Sequence, residues 1–275
     1  MAVRKKKTAY TAATADKYEL YLKSVQNVEV EIELLAEIYR ELRGREMRSL
    51  REDFCGAFAA AAEFVARAPG NTAYALDLDD EVLAWGRKYV IPALARAYKG
   101  AEKNLTVWKK NVLEVTKPRV DAVLAMNFSY FIFKRREELL RYFKAVHATL
   151  DNDGVFFMDC YGGTDAWKVC RDKKKLDGFT YVWDQAEVNP LNNEVLNHIH
   201  FYFPDRTKML KAFSYDWRLW TPREIRELLA EAGFADSGVY WEEWDYDANV
   251  GTGNFYRSEK EENCLAWVAY IAARK

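Results

Sequence analysis

The stretch SLREDFCGAFAAAAEFVARAPGNTAYALDLDDEVLAWGRK, residues 49–88, decides the fold. It reads as strand, tight turn, helix, strand and an acidic strand end. Ser49–Asp53 leads into a turn at Phe54, Cys55 and Gly56; an alanine-rich helix over 57–68 breaks at Pro69, Gly70 and Asn71; a second strand over 72–76 ends at Asp77. Parallel strands need such a crossover, and it is right-handed in nearly all cases, so the first turn and the second strand's carboxyl end fall side by side. Open α/β sheets bind ligands at that edge. Backbone amides at the turn and helix start suit a carboxylate or phosphate, and an acid on the next strand end suits the two hydroxyls of a ribose. Together they point to a nucleoside-containing ligand.

Toward the C-terminus, LDDEVLAWGRKYVIPALARAY reads as a helix begun by acids and bent near Pro92. LTVWKKNVLEV supplies a third strand from Leu105 to about Trp108, and RVDAVLAMNFSYFIF a fourth, apolar on both faces and therefore central in a parallel sheet. Residues 135–150 form an amphipathic helix with Leu139, Leu140, Phe143, Val146 and Leu150 on one side, and LDNDG turns the chain into a fifth strand, GVFFMDCYGG. This alternation predicts a doubly wound α/β sheet. The pattern then changes. FTYVWDQAEVNPLNNEVLNHIHFYFPDRTKMLKAFSYDWRLW holds three β-rich runs divided by NPLNN and PDRT, an antiparallel insertion that reads as a cap. Thr221 as N-cap, Pro222 at the first helical position and Glu224 closing a capping box start a helix that stops at Gly233. SGVYWEEWDY and CLAWVAYIAA read as two closing strands around a long loop, DANVGTGNFYRSEKEEN.

Toward the N-terminus two helices precede the first strand. In the second, Val28, Ile32, Leu35, Ile38, Tyr39 and Leu42 recur at helical spacing and Gly44 offers a C-cap. On the first, Tyr18 and Tyr21 lie three apart and share a face, which suits either packing or a lid over a ligand cleft.

Composition narrows the partners. Over 275 residues, 41 basic side chains nearly balance 42 acidic ones, so no strong field is available for nucleic acid or an anionic membrane. The basic cluster at residues 4–7 reads as a solvated tail. No apolar run is long enough to span a bilayer and no signal peptide is evident, which predicts a cytoplasmic protein without nucleic-acid or membrane partners and leaves homo-oligomerisation open. Cys55, Cys160, Cys170 and Cys264 are scattered with no CxxC pair, as expected of reduced thiols.

With these elements placed, the chain resembles the class I S-adenosylmethionine-dependent methyltransferases from about residue 49 to the end. The matching parts are EDFCG, ALDLDD, KKNVLEV, AMNFSYF and LDNDGVFFMD, and LREDFCG, NFSYFIF and YDWRLWT are similar to a bacterial subgroup of that family. The resemblance implies a Rossmann-like, seven-stranded sheet with the β insertion after strand five. Its parts would be an N-terminal helical cap over 1–48, an S-adenosylmethionine-binding core over 49–177, a substrate cap over 178–220 and a closing segment over 221–275. It also implies site residues. Gly56, Cys55 and Asp53 (or Glu52) would face the methionine part of the cofactor, Asp77 the ribose, Leu78 the adenine face, and Asn111 and Val112 the adenine edge. Asn127, Phe128 and Ser129 would lie beside the methyl group and the incoming substrate. The family turn carries two or three glycines, whereas Phe54, Ala57 and Phe58 stand in or near that run here, so crowding of the cofactor carboxylate is expected.

Methyl transfer from a sulfonium is an in-line displacement that needs alignment and exclusion of water, and no metal. Aromatic faces attract cations, which nominates Tyr161, Tyr215, Trp217, Trp220 and Trp241 as walls of a substrate pocket, with one or two of the set reaching the site and core packing the alternative for each. Tyr161 is also a candidate catalytic group. His198 and His200 lie two apart on one strand face, where packing, solvation or service as a base are all compatible with the spacing; no cluster of further ligands accompanies them, so no metal site is expected. The reading is methyl transfer to a small molecule, nitrogen ahead of oxygen, with RNA or protein methylation or cofactor binding without catalysis as the alternatives.

Overall fold

The computed structural model describes residues 10–245 and 250–275, so the basic cluster at 4–7 and residues 247–249 of the long C-terminal loop lie outside the described residues. The chain divides into two compact units, a smaller one of residues 10–26 with Trp167–Arg218 and a larger one of Asn27–Ala166 with Leu219–Lys275. It therefore passes from one to the other three times, after Gln26, Ala166 and Arg218.

In chain order, α1 (Lys17–Ser24) belongs to the smaller unit and is capped by Asp16, whose carboxylate accepts from the backbone N–H groups of Tyr18 and Glu19. In the larger unit, α2 (Val28–Arg43) buries Ile32, Leu35, Ile38 and Tyr39 and ends at Gly44, whose φ of 67° no side chain opposes. There follow β1 (Ser49–Asp53), α3 (Ala59–Arg67), β2 (Thr72–Asp77), α4 (Asp80–Ala97, running on through Pro92), β3 (Leu105–Lys109), β4 (Val120–Ala125), α5 (Arg136–Thr149) and β5 (Leu150–Gly162). The smaller unit then adds β6 (Cys170–Leu176), β7 (Phe179–Asn189), β8 (Glu194–Tyr202) and β9 (Lys208–Arg218). The larger unit closes with α6 (Pro222–Ala232), β10 (Asp236–Asp245), β11 (Val250–Ser258) and β12 (Trp267–Arg274). The capping box at Thr221 and Glu224 is formed, and Gly233 ends α6 with φ 106°.

Among the described residues the larger unit is built on an eight-stranded sheet in the order β11-β10-β12-β5-β4-β1-β2-β3. β3, β2, β1, β4 and β5 are parallel; β12, β10 and β11 are antiparallel. β4 is buried along its whole length, as its two apolar faces required. The small side chains Ala60, Ala61 and Ala62 let α3 lie close on the sheet, where Leu50, Phe58, Phe64 and Phe157 join one core. Strand order runs outward in opposite directions from β1 and β4, so the crevice between their carboxyl ends is the switch point of the fold.

Two readings of the sequence change. The long loop between the closing strands contains β11, which makes eight strands where seven were expected. Its glycines disguised it: Gly253 donates its N–H to Glu242 on β10 at 3.1 Å, and a Cβ at Gly251 would strike that same carboxylate. The antiparallel insertion has four strands rather than three, because the charged run of β6 pairs with β7 as an exposed edge. The smaller unit's sheet, β6-β7-β8-β9, packs Ile199 and Phe201 with Leu20 and Phe179. No helix among the described residues is long and apolar enough to cross a membrane.

Candidate functional site

The switch point begins with Asp53, which the sequence offered as a cofactor contact. Arg51 lies two residues earlier on the same strand face, wholly buried, and its Nε and Nη2 donate to the two oxygens of Asp53 at 2.8 and 3.0 Å. The Tyr142 hydroxyl donates to Asp53 at 2.8 Å, and Arg51 also reaches Thr149 at 2.6 Å. The geometry makes this carboxylate an internal brace between β1 and α5 rather than a ligand group. Beyond it the backbone is left-handed three times, at Phe54 (φ 56°), Gly56 (50°) and Phe58 (52°). The Phe54 ring packs on Phe133 and Tyr142, and Phe58 is fully buried against Gly86 of α4. Aromatic bulk is thus turned away from Gly56, where an added Cβ would meet nothing nearer than Val82 at 3.9 Å. This corrects the expected crowding. The Cys55 thiol is buried, which pushes its pKa well up and keeps it protonated.

Asp77 ties the end of β2 to that turn. Its Oδ2 accepts from the Gly56 N–H at 2.8 Å and its Oδ1 from the N–H groups of Leu78 and Asp79 at 2.7 and 3.0 Å. The next side chain, Leu78, is 59 % exposed beside this acid. After β3, the Asn111 side-chain oxygen caps a short turn by accepting from the Leu113 N–H at 3.0 Å, and Val112 is buried behind it.

The chain leaves β4 through two more left-handed residues, Asn127 (φ 56°) and Phe128 (58°). Their N–H groups donate to the two oxygens of Asp159 on β5, each at 2.8 Å. One carboxylate therefore fixes the whole turn. Ser129 donates its hydroxyl to the Met126 carbonyl at 2.7 Å, so it too serves the turn. The Tyr161 ring meets Phe128 and Phe131 at centroid distances of 4.7 and 5.8 Å. Trp241 pairs with Trp267 at 5.2 Å, and Trp267 lies over Gly162 at the end of β5, on the same sheet edge. Trp220, nominated as a pocket wall, is 2 % exposed and gives its indole N–H to the Phe133 carbonyl at 3.1 Å, which leaves it no open face.

Three carboxyls gather electrostatically at this edge. Burial pushes Glu52 up to about 8, with the Ala61 N–H opposing and Glu31, Asp77 and Asp53 adding to the rise. Burial pushes Asp159 up to about 7, the Phe128 and Asn127 N–H groups opposing and Glu31 adding, and burial brings Glu31 of α2 to about 7. Asp159, Glu31 and Trp267 were not singled out from the sequence. The signal for Asp159 was present: one acid inside the apolar strand FFMDCY.

Other nominated residues lie in the smaller unit. Tyr18 and Tyr21 both pack on Phe213, at 5.9 and 5.0 Å, and Tyr215 stacks on Trp217 at 4.5 Å. His200 accepts the Lys211 N–H on Nδ1 at 2.7 Å and meets Asp184 through Nε2 at 3.0 Å. With both nitrogens committed it has no lone pair for a substrate, which corrects its nomination as a base. His198 shares a 2.8 Å hydrogen bond with Ser214 through Nδ1, and burial holds its pKa below the ordinary histidine range.

No family model matches the chain, and no curated protein matches it. Solved structures do. An S-adenosylmethionine-dependent methyltransferase from Clostridium acetobutylicum superposes with TM-score 0.64 at 15 % identity, covering 94 % of this chain and 96 % of that one. An S-adenosylmethionine-bound amino pentose methyltransferase from Micromonospora echinaspora gives 0.62 at 16 % over 98 % and 99 %, and a sugar N-methyltransferase from Streptoalloteichus sp. gives 0.60 at 18 % over 100 % and 98 %. At such identities the likeness is one of fold: the chain has the α/β fold of these methyltransferases.

Proposed function

We propose that this chain is an S-adenosylmethionine-dependent methyltransferase whose acceptor is a small-molecule amine. The observation that carries the reading is the gathering of carboxyls at the switch-point edge, where Glu52 and Asp159 are buried and Glu31 is half-buried, and where burial, with the nearby Glu31 charge adding at Glu52 and Asp159, pushes all three above the ordinary carboxyl range. A cation bound among these carboxyls would draw them into their charged form and be held by it, whereas a pyrophosphate would oppose their ionisation further, which favours a sulfonium cofactor over a dinucleotide. The residues present fit the cofactor in other respects. Three backbone N–H groups occupy Asp77, out of about four acceptor positions on a carboxylate, so Oδ2 retains capacity for a ribose hydroxyl. Exposed Leu78 offers an apolar surface for adenine, with Asn111 and Val112 at its edge, and Gly56 with Cys55 leaves the turn open for the amino-acid part.

When bound, S-adenosylmethionine supplies an electrophilic methyl group on sulfur. The chain's own residues bind, orient and exclude water. Asn127 and Phe128, held by Asp159, form the wall next to the reacting centre, with Ser129, Tyr161 and Trp241 beyond them. Holding the two reactants in line is worth a large share of such a barrier, on the order of 7–11 kcal/mol at the upper limit. Nitrogen is preferred as the acceptor atom because fold neighbours include an amino pentose methyltransferase and a sugar N-methyltransferase, and because the aromatic side chains suit an ammonium.

Titration calorimetry with S-adenosylmethionine and, separately, with a nicotinamide dinucleotide tests the reading. Binding of the first and not the second is expected, with Asp77→Ala weaker by about tenfold or more, the loss typical of a charged hydrogen-bonding group. Preference for the dinucleotide, or no binding of either, overturns it.

A further inference from the structure

The antiparallel end of the larger unit's sheet carries an aromatic face. Residues opposite one another on paired strands share a face, so Trp241 of β10 stands beside Tyr256 of β11 and Ala269 of β12, and Trp267, two residues before Ala269, joins them. The two indoles meet at a centroid distance of 5.2 Å and an interplanar angle of 46°. Trp267 is fixed by the neighbouring strand: it lies on the bare backbone of Gly162 in β5, where a Cβ would come within 2.2 Å of the indole. Neither tryptophan is closed into the core. Both are half-buried and Tyr256 is 45 % exposed, so the rings form an open shelf rather than a packed interior.

A carboxylate stands on the same face. Asn254 is two residues from Tyr256 along β11, and its amide donates to Oε2 of Glu243 at 3.1 Å, an oxygen that also accepts the Thr252 hydroxyl at 3.2 Å. Glu243 is exposed, and its Oε1 accepts nothing among the described residues. Tyr256, Asn254, Trp267 and Ala269, which share the face with Trp241, are all uncharged, so the one charge this group brings to the shelf is negative. Ring faces attract a cation, and a carboxylate beside them adds Coulomb attraction. A trialkylammonium suits such a shelf because its methyl groups lie against rings and it has no N–H that needs an acceptor. We propose that Trp241, Trp267, Tyr256 and Glu243 form a binding site for the trialkylammonium group of a small organic cation. A lipid headgroup would bring its phosphate close to Glu243 and to Glu242 next to it in the chain, which selects a free cation. Such a nitrogen has no lone pair with which to take a methyl group, so the site holds its ligand by a part other than a reacting atom. The inference does not depend on the methyltransferase reading.

The test uses the full chain with choline as probe and, as control, its neutral isostere in which carbon replaces nitrogen. Binding is followed by NMR through the indole N–H signals of Trp241 and Trp267, assigned with Trp241→Phe and Trp267→Phe. The expected result is a choline-dependent shift of both signals, with the neutral isostere bound about tenfold or more weaker. Glu243→Gln keeps an oxygen for Asn254 and Thr252 and removes only the charge; it is expected to weaken choline about threefold or more and to leave Tm unchanged. Tyr256→Leu, at an exposed position, is expected to weaken choline about tenfold and decides the matter if a tryptophan variant does not fold. No shift with choline, equal binding of choline and its isostere, or variants that bind choline as the wild type does overturn the proposal. Sedimentation with phosphatidylcholine vesicles and no response to free choline assigns the shelf to a lipid surface and overturns it too. Failure to bind S-adenosylmethionine, read from a separate titration, would defeat the methyltransferase reading and leave this one standing.

Discussion

Phe54, Phe58, Asn127 and Phe128 hold a left-handed backbone that costs a non-glycine residue about 1–2 kcal/mol, and all four sit at the carboxyl ends of β1 and β4. For Phe58 the cost is offset by complete burial of its ring against Gly86. Gly86→Ala drives a methyl group into that ring, and overpacking of this kind costs about 1–3 kcal/mol. The expected outcome is a lower urea midpoint with an unchanged m-value; an unaltered midpoint would show that Phe58 has room to move. At this scale some assignments were legible and others were not. Arg51 and Asp53 are two apart on a strand, so alternation alone puts them side by side, and their pairing was available from the sequence. The occupation of His200 was not, because its Lys211 partner depends on the register between β8 and β9, which shifts between Ile199 and Phe201.

Elements, rather than residues, define the turn after β4, since its two amides are held from the neighbouring strand β5 by Asp159. Asp159→Asn places an amide N–H₂ where one oxygen now accepts, leaving either Asn127 or Phe128 with an unmet donor. A stability loss of about 1–3 kcal/mol is expected, with faster hydrogen exchange at those two amides specifically; unchanged exchange would mean that the β4 turn holds itself. The parallel strands and their crossover helices were readable because apolar runs and turn residues repeat down the chain. β6 and β11 were not, because these two edge strands are dominated by charges in one case and interrupted by glycines in the other. An edge strand can carry charges or glycines because it meets solvent and a single neighbour, and in these two that composition erases the alternation that marks a strand.

Across the whole molecule, charge is nearly balanced, yet the titration of the larger unit is not symmetrical. Glu31, Glu52 and Asp159 rise from ordinary values near 4 to about 7 or 8 in the folded state. Between about pH 4 and 8 the folded chain therefore binds more protons than the unfolded one, so stability falls as pH rises through this window. Asp121 acts in the opposite sense: against the burial that would raise it, Arg45 and the N–H groups of Arg48 and Ser49 hold it below the ordinary range, and that contribution is lost in acid. The ligand-free protein is expected to have its highest Tm at mildly acidic pH, near about 5, and a lower one at about 8. Glu31→Gln should flatten that slope, and a Tm that climbs steadily to pH 8 would contradict it. A last consequence follows from the three passages of the chain between its units. The Ala12 N–H donates to Thr207, 195 residues further on, so α1 and its surroundings leave the ribosome long before β9 exists. At ordinary translation rates that wait is roughly 10–40 s. The smaller unit is thus completed only once Arg218 has been made, and the aromatic side chains of α1 remain without their sheet until the larger unit's parallel strands have all been synthesised.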